Sequence, residues 1–214
     1  SGYVVVSNKL LANWEAAGSF ITSTLASAMV GQEDFDFLRG DGVNKATGVL
    51  NHASTIAHSR AGAGAISFPD VCNMLSRSLM RGGSYVWAAS QTTIPQLAAM
   101  ADVGGHAVWL GAKADNLTGG QGPLPSTLIG VPIVFSDRLP ALGSRGDLSL
   151  LNLGYYLIKD GTPMAIASSE HILFLSNRTV FKIVWHVDGH PWLTEPLQLE
   201  GSPTNTCSPF VVLA

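Results

Sequence analysis

Charge is scarce in this sequence. Only 13% of its 214 residues are Asp, Glu, Lys or Arg, against about a quarter in ordinary globular domains. What charge there is nearly cancels, leaving a formal net charge of −3 and a pI near 6.0. The basic stripe that releases counterions from phosphates is therefore missing, which argues against strong direct binding of nucleic acid. Cysteine is scarce too. Cys72 and Cys207 stand far apart, which suggests neither a disulfide framework nor a zinc cluster and fits a reducing cytosol. No apolar run approaches the roughly 18 residues of a membrane span, despite a mean hydropathy of +0.26. The first residues lack a basic segment followed by an apolar one, so no signal peptide is expected. A phosphate-binding lysine loop, a nucleophile elbow and a dinucleotide fingerprint are all missing, which leaves an enzyme reading almost nothing to stand on.

Apolar and small residues are what the chain has in quantity, with 46% hydrophobic residues and 23 glycines. A chain of this length forms one sizeable domain or two small, closely packed ones and buries about 70% of its unfolded surface. The apolar excess points to contact with neighbouring subunits. Ser7 is a candidate N-cap, and Leu10, Leu11, Trp14, Ala17, Ile21, Leu25, Ala28 and Met29 recur at helical spacing up to Arg39-Gly40. The spacing predicts one strut-like helix of about 30 residues, roughly 45 Å long, with two shorter helices broken at Gly31 as the alternative. Residues 40–65 are rich in glycine and alanine, lack periodicity and read as loop. Ser67-Phe68-Pro69-Asp70 is a capping box ahead of a helix face at Val71, Met74, Leu75, Ser78 and Leu79. Residues 85–89 read as a buried strand, and Thr93-Ile94-Pro95-Gln96 repeats the capping pattern before a short helix ending near Met100.

Residues 102–126 form a glycine-rich stretch longer than loops of compact domains usually run, the mark of a functional or disordered segment. Strands are predicted over residues 129–136 and 148–158, with turn residues 137–147 between them, and a second strand pair over 164–168 and 179–187. Asp188-Gly189 is a turn signal. His186, Asp188 and His190 alternate, and on a straight strand they would share a face from which a hydrolytic metal centre can be built. The turn is expected to destroy that face. His52, His58, His106 and His171 fall on predicted loops without ligand spacing and read as surface or interface polar groups. Arg145-Gly146-Asp147 has the letters of an adhesion tripeptide but fits a loop between strands better. Asn116-Leu117-Thr118 and Asn177-Arg178-Thr179 match the glycosylation pattern, which carries no weight without a secretory signal.

Several segments occur in a telling order. After the long helical pattern comes Gly40-Asp41-Gly42-Val43-Asn44-Lys45-Ala46-Thr47-Gly48-Val49-Leu50. Thr127-Leu128-Ile129-Gly130-Val131-Pro132-Ile133-Val134-Phe135-Ser136-Asp137-Arg138-Leu139-Pro140 follows, then His186-Val187-Asp188-Gly189-His190-Pro191-Trp192-Leu193 and a closing Ser208-Pro209-Phe210-Val211-Val212-Leu213. This ordered set, spanning nearly the whole chain, resembles the major capsid proteins of tailed bacteriophages, a fold shared with encapsulins. The resemblance implies an α+β subunit with a long spine helix, a peripheral lobe with a β-hairpin (residues 4–49 and 159–190) and an axial lobe with a central sheet flanked by helices (50–158 and 191–214). It also implies a structural subunit of an icosahedral phage or prophage capsid, self-assembling into pentamers and hexamers that enclose DNA without binding it specifically. No catalytic residue, cofactor, metal or membrane is expected. The implied partners are copies of the chain itself, with scaffold, portal and decoration proteins as further candidates, and the implied location is the virion, after assembly in the bacterial host cytoplasm. An encapsulin-like compartment shell is the alternative, and a metal-dependent hydrolase using His186, Asp188 and His190 is a more remote one.

Three contact surfaces follow from the resemblance and from loop length. Residues 104–122, with Trp109 and Leu110, are the candidate axis contact. The hairpin tip over residues 170–177, with Glu170, His171 and Asn177, is the candidate three-fold contact, and the spine helix face is the lateral one. The family's N-terminal arm and extended hairpin loop, expected ahead of Tyr3, have no counterpart, so the chain reads as truncated. Some family members join a lysine of that loop to an asparagine of the peripheral domain in an isopeptide bond. Asn177 falls near the asparagine, but Val184 falls roughly where the assisting carboxylate belongs and cannot polarise anything. Denaturing electrophoresis of the intact protein is accordingly expected to show single subunits, and a covalent ladder would contradict this.

Overall fold

The final strand of the chain lies inside its largest sheet. In the computed structural model, which describes residues 1–13, 16–101, 104–105, 108–109 and 127–214, β11 (Phe210–Leu213) runs parallel to β2 (Ile56–His58) on one side and antiparallel to β6 (Leu148–Leu151) on the other. The sheet continues through β3 (Val86–Ser90) and β5 (Val131–Ser136) to β4 (Thr127–Leu128), in the order β2-β11-β6-β3-β5-β4. Successive side chains of a strand point to opposite faces, and β11 is apolar on both. Val211 and Leu213 join one core cluster, while Phe210 and Val212 join another. The first cluster includes Val71 and Met74 of α3 (Phe68–Ser76) and Leu97 of α4 (Ile94–Ala99). The second includes Val49 and Leu50, with Leu38 near the end of α2 (Ala17–Arg39) packed against it. Each fully buried side chain of this kind contributes about 1.5–3 kcal/mol.

A second sheet has the order β1-β8-β7, with β1 (Gly2–Ser7), β7 (Tyr156–Leu173) and β8 (Arg178–Pro191) antiparallel throughout. It owns a smaller core of Val6, Phe181 and Ile183 together with Leu25 of α2, so α2 lies across this sheet. The short helix α1 (Asn8–Asn13) links β1 to α2, and β9 (Leu197–Leu199) pairs with β10 (Ser202–Cys207) in a separate ribbon.

Several sequence expectations need correction. The predicted 30-residue helix is two helices, and α2 itself spans 23 residues, about 34 Å. Asn8 at the start of α1 bonds both Asn177 and Thr179 of the hairpin, whereas α2 starts afresh with Phe20 N–H donating to Ala16 O; Trp14 and Glu15 lie outside the described residues. Gly31 does not break α2. A Cβ there would sit 2.6 Å from the Arg138 guanidinium, so this glycine is a notch that receives a side chain. The strand predicted from residue 148 to 158 is interrupted because Asn152 accepts from Gly154 N–H at 3.2 Å and donates to Gly82 O at 2.8 Å, forming a turn between β6 and β7. The strand predicted over 129–136 is a hairpin, with Ile129 and Gly130 at positive φ between β4 and β5. Thr93 makes no side-chain cap, since its hydroxyl donates to Ser90 O, and Gln96 serves Ile66 N–H and Gly64 O instead. Asp188-Gly189 does not turn. Both residues pair with β7 within an unbroken β8.

The capping box at Ser67 forms as expected, with Asp70 accepting from Ser67 N–H at 3.0 Å and Asp70 N–H donating back to Ser67 Oγ at 3.4 Å. Burial alone would raise the Asp70 carboxyl. The bonds from Ser67 and Ala61 outweigh it and hold the group below its ordinary pKa.

The Arg145-Gly146-Asp147 letters describe a buried clamp, so an adhesion role is excluded by access. Asp147 is fully buried, and both its carboxylate oxygens accept from the Arg60 guanidinium, at 3.1 and 3.0 Å. Gly143 N–H and Leu148 N–H add bonds of 2.8 Å each. Arg60 also reaches Ser144 O and Ala214 O, tying the end of β11 to the loop before β6. Removing one member of such a pair strands a buried charge at a cost of about 3–5 kcal/mol. Asp147→Asn is therefore expected to lower the urea midpoint by about that free energy, and the joint replacement Arg60→Met with Asp147→Leu to cost clearly less. Equal losses in both proteins would show that the pair is not the clamp.

Candidate assembly surfaces

The two sheets meet at the end of α2. A helix leaves its last four carbonyls without intrahelical donors, and here the following segment supplies them. Gly40 N–H donates to Asp36 O at 2.8 Å, and Val49 and Leu50 N–H donate to Phe37 O and Leu38 O at 3.0 Å each. The Asn51 amide reaches Arg39 O at 3.4 Å. The chain can fold back so closely because Gly40 and Gly48 lack side chains, since a Cβ on either would strike backbone of the other arm. Gly42 and Asn44 at the loop's turn have positive φ, and Asp41 accepts from Val43 N–H at 3.0 Å.

The same loop grips the hairpin of β7 and β8. Thr47 N–H donates to Gly189 O at 2.8 Å, and the Tyr156 hydroxyl donates to Thr47 O at 3.0 Å. Burial, and then Asp188 and Asp36, push the Tyr156 hydroxyl well up, so it stays protonated as that donor. Along α2, burial followed by Asp160 and Asp34 raises the Glu33 carboxyl.

From this base the hairpin reaches outward to an apolar tip. Ile172, Phe174 and Leu175 are 71%, 75% and 101% exposed. Glu170 and His171 lie exposed on β7 just before the tip, and Asn177, in the left-handed region, closes it. The Asn177 carbonyl and side-chain oxygen both accept from Asn8, at 3.0 and 2.9 Å, so one side of the tip is fastened to α1. The apolar run from Ile172 to Leu175 was not singled out in the sequence, though four successive apolar residues beside a turn were signal enough.

The family model described as Phage capsid family matches residues 1–199. The chain belongs to the phage capsid family. A comparison with curated proteins returns no match. Among solved structures, the capsid of an empty GTA particle superposes with a TM-score of 0.73 at 17% identity, covering 99% of this chain and 71% of that one. A structure of Microbacterium phage Oxtober96 gives 0.68 at 12% identity, covering 100% and 70%. The holo-SrpI encapsulin complex from Synechococcus elongatus PCC 7942 gives 0.59 at 12% identity, covering 99% and 71%. At these identities the likeness is one of fold, which is the expected α+β capsid fold. The protein is a structural capsid subunit of the virion, without enzymatic activity.

The other residues named from the sequence fall in different places. Trp109 is 3% exposed, its ring edge-on to Phe135 at 5.6 Å, so this side chain is part of the core. Leu110 and most of residues 104–122 lie outside the described residues. His186, Asp188 and His190 do alternate on one straight strand, against expectation. Yet among the described residues no group of three or more His, Cys, Asp or Glu side chains is placed to hold a metal. Asp188 accepts from Gly189 N–H at 2.8 Å, and His190 Nδ1 bonds Pro191 O at 2.6 Å. Of the remaining histidines, His58 stands 3.7 Å from buried Asp70 on β2 rather than on a loop, and His106 lies outside the described residues.

Gly189 stays straight because it must be bare. A Cβ there would come within 2.7 Å of the Tyr156 ring and 2.9 Å of Phe37. Gly189→Ala is expected to lose about 1–3 kcal/mol through this overpacking, read as a lower melting temperature with unchanged secondary structure by circular dichroism. An unaltered melt would mean that the joint is looser than described.

Proposed function

We propose that this subunit tiles a closed icosahedral shell around DNA, its copies meeting in pentamers and hexamers through surfaces carried by two lobes. The peripheral lobe comprises residues 4–49 and 159–190, and the axial lobe residues 50–158 and 191–214. The separate apolar core of the β1-β8-β7 sheet supports this division, as does the glycine-lined joint between the sheets. The reading is carried by the exposed apolar tip at Ile172, Phe174 and Leu175, held at the end of a hairpin whose base is hydrogen-bonded to the core. Three large apolar side chains clustered at one exposed tip have no role in the subunit's own cores, and such patches mark protein contacts. Contacts of this kind, individually weak, become strong when repeated around a closed ring. Glu170, His171 and Asn177 beside the tip are its polar rim at the three-fold contact. The segment holding Leu110 remains the candidate for the axis contact, and buried Trp109 anchors that segment to the core. The small negative net charge supports DNA that is enclosed without being gripped. Scaffold, portal and decoration proteins are the further partners of such a shell. Assembly in the host cytoplasm completes the reading.

Phe174→Asp with Leu175→Asp separates folding from assembly. Because both side chains are exposed, stability is expected to shift by no more than about 0.5 kcal/mol for each change. Protein expressed from the complete gene is expected to form closed particles of uniform size in negative stain, and the double variant to remain as unassembled subunits or rings. Particles indistinguishable from wild type would remove the tip from the assembly contacts. A compartment shell enclosing enzymes would show cargo protein inside the particles in place of DNA.

A further inference from the structure

The joint between the hairpin and the core contains a second contact, made by two histidines. His52 follows the loop that caps α2, and His190 stands near the end of β8 at the hairpin's base. Their rings meet edge to face with centroids 4.9 Å apart. The tautomers follow from the hydrogen bonds. Ser54 N–H donates to His52 Nδ1 at 3.1 Å and the Ser54 hydroxyl lies 2.8 Å from the same nitrogen, so that nitrogen is bare and the ring proton is on Nε2. His190 Nδ1 faces Pro191 O at 2.6 Å, so Nδ1 carries its proton. We propose that His52 and His190 form an acid-released latch between the core and the base of the β7–β8 hairpin.

A second proton on His52 must go to Nδ1, which turns an acceptor into a donor; the Ser54 hydroxyl can reverse and accept from it, but the Ser54 N–H is stranded. Ser54 is fully buried, so water cannot replace the bond. The Ser54 carbonyl also accepts from Ser208 Oγ, which in turn accepts from Phe210 N–H at the start of β11 at 3.1 Å. The loss is thereby passed to the central strand.

The elements meeting here carry other charged or titratable groups, among them Glu33, Asp34, Asp36 and Arg39 on α2, Asp41 and Lys45 in the loop, Tyr156, Lys159 and Asp160 on β7, and His186 and Asp188 on β8. Burial first, and then His190, hold the His52 imidazole below its ordinary 6.5. The folded state therefore resists the proton that the unfolded state accepts. The latch is fully closed above about pH 6.5 and gives way as the pH falls below it.

Nuclear magnetic resonance of the 214-residue chain tests this through the histidine ring signals and the exchange of the Thr47 amide, which bonds Gly189 O. The His52 midpoint is expected below 6.5, and to rise towards it in His190→Gln. Thr47 exchange, corrected for the intrinsic effect of pH, is expected to quicken about tenfold between about pH 7.5 and 5.5. In His52→Asn, whose side-chain oxygen can still accept from Ser54 but cannot titrate, this acceleration is expected to vanish. A His52 midpoint at or above 6.5, unchanged Thr47 exchange in the wild type, or the same acceleration in His52→Asn would each overturn the latch. The wild-type titration decides alone if a variant fails to fold.

Discussion

The last carbonyls of α2 must find donors where the chain turns back on itself, and nearly everything else in this subunit is placed by how they do. Residues 40–51 supply those donors, and in doing so bring Val49 and Leu50 onto one face of the central sheet and Thr47 against Gly189 of the hairpin. One loop thus closes a helix, covers a core and orients a hairpin. Hydrogen bonds of this kind contribute about 1 kcal/mol each, so no single bond is decisive. The geometric constraint is stricter, because Gly40, Gly48 and Gly189 occupy places where a Cβ would overlap backbone or an aromatic ring.

The capping box at Ser67 and the buried strand at Trp87 were legible from local chemistry, since each depends on neighbours in sequence or on a simple apolar run. The ordered glycine-rich segments carried the fold. What could not be read was set by distant partners. Asp188-Gly189 has the letters of a turn, yet pairing with Lys159 and Ile158 of β7 and a backbone bond from Thr47 keep it straight. Asn152 looked like one more residue of a strand until Gly82 offered its carbonyl. Arg145-Gly146-Asp147 looked accessible because the partner that buries it, Arg60, lies 87 positions away from Asp147. At the candidate surfaces, the polar signal of Glu170, His171 and Asn177 leads to an exposed tip, whereas its character comes from the apolar Ile172, Phe174 and Leu175 beside them. Trp109 sits in a glycine-rich stretch that reads as a contact, and packing against Phe135 claims it for the core.

The long outer strand of the hairpin poses a separate problem. β7 runs for 18 residues at the edge of its sheet, and an open edge invites pairing with any other strand. Pro163 removes a donor, three irregularities break its register, and Lys159 places a charge near its base. These features discourage indiscriminate pairing along the strand and leave side chains, rather than a backbone ladder, to choose the partner.

Burial of an apolar tip has a thermal signature. The driving force for removing hydrocarbon from water is mostly entropic near room temperature and weakens on cooling. A lattice fastened by Ile172, Phe174 and Leu175 would hold better in a warm host than on ice, and chilling would be the gentlest way to take it apart.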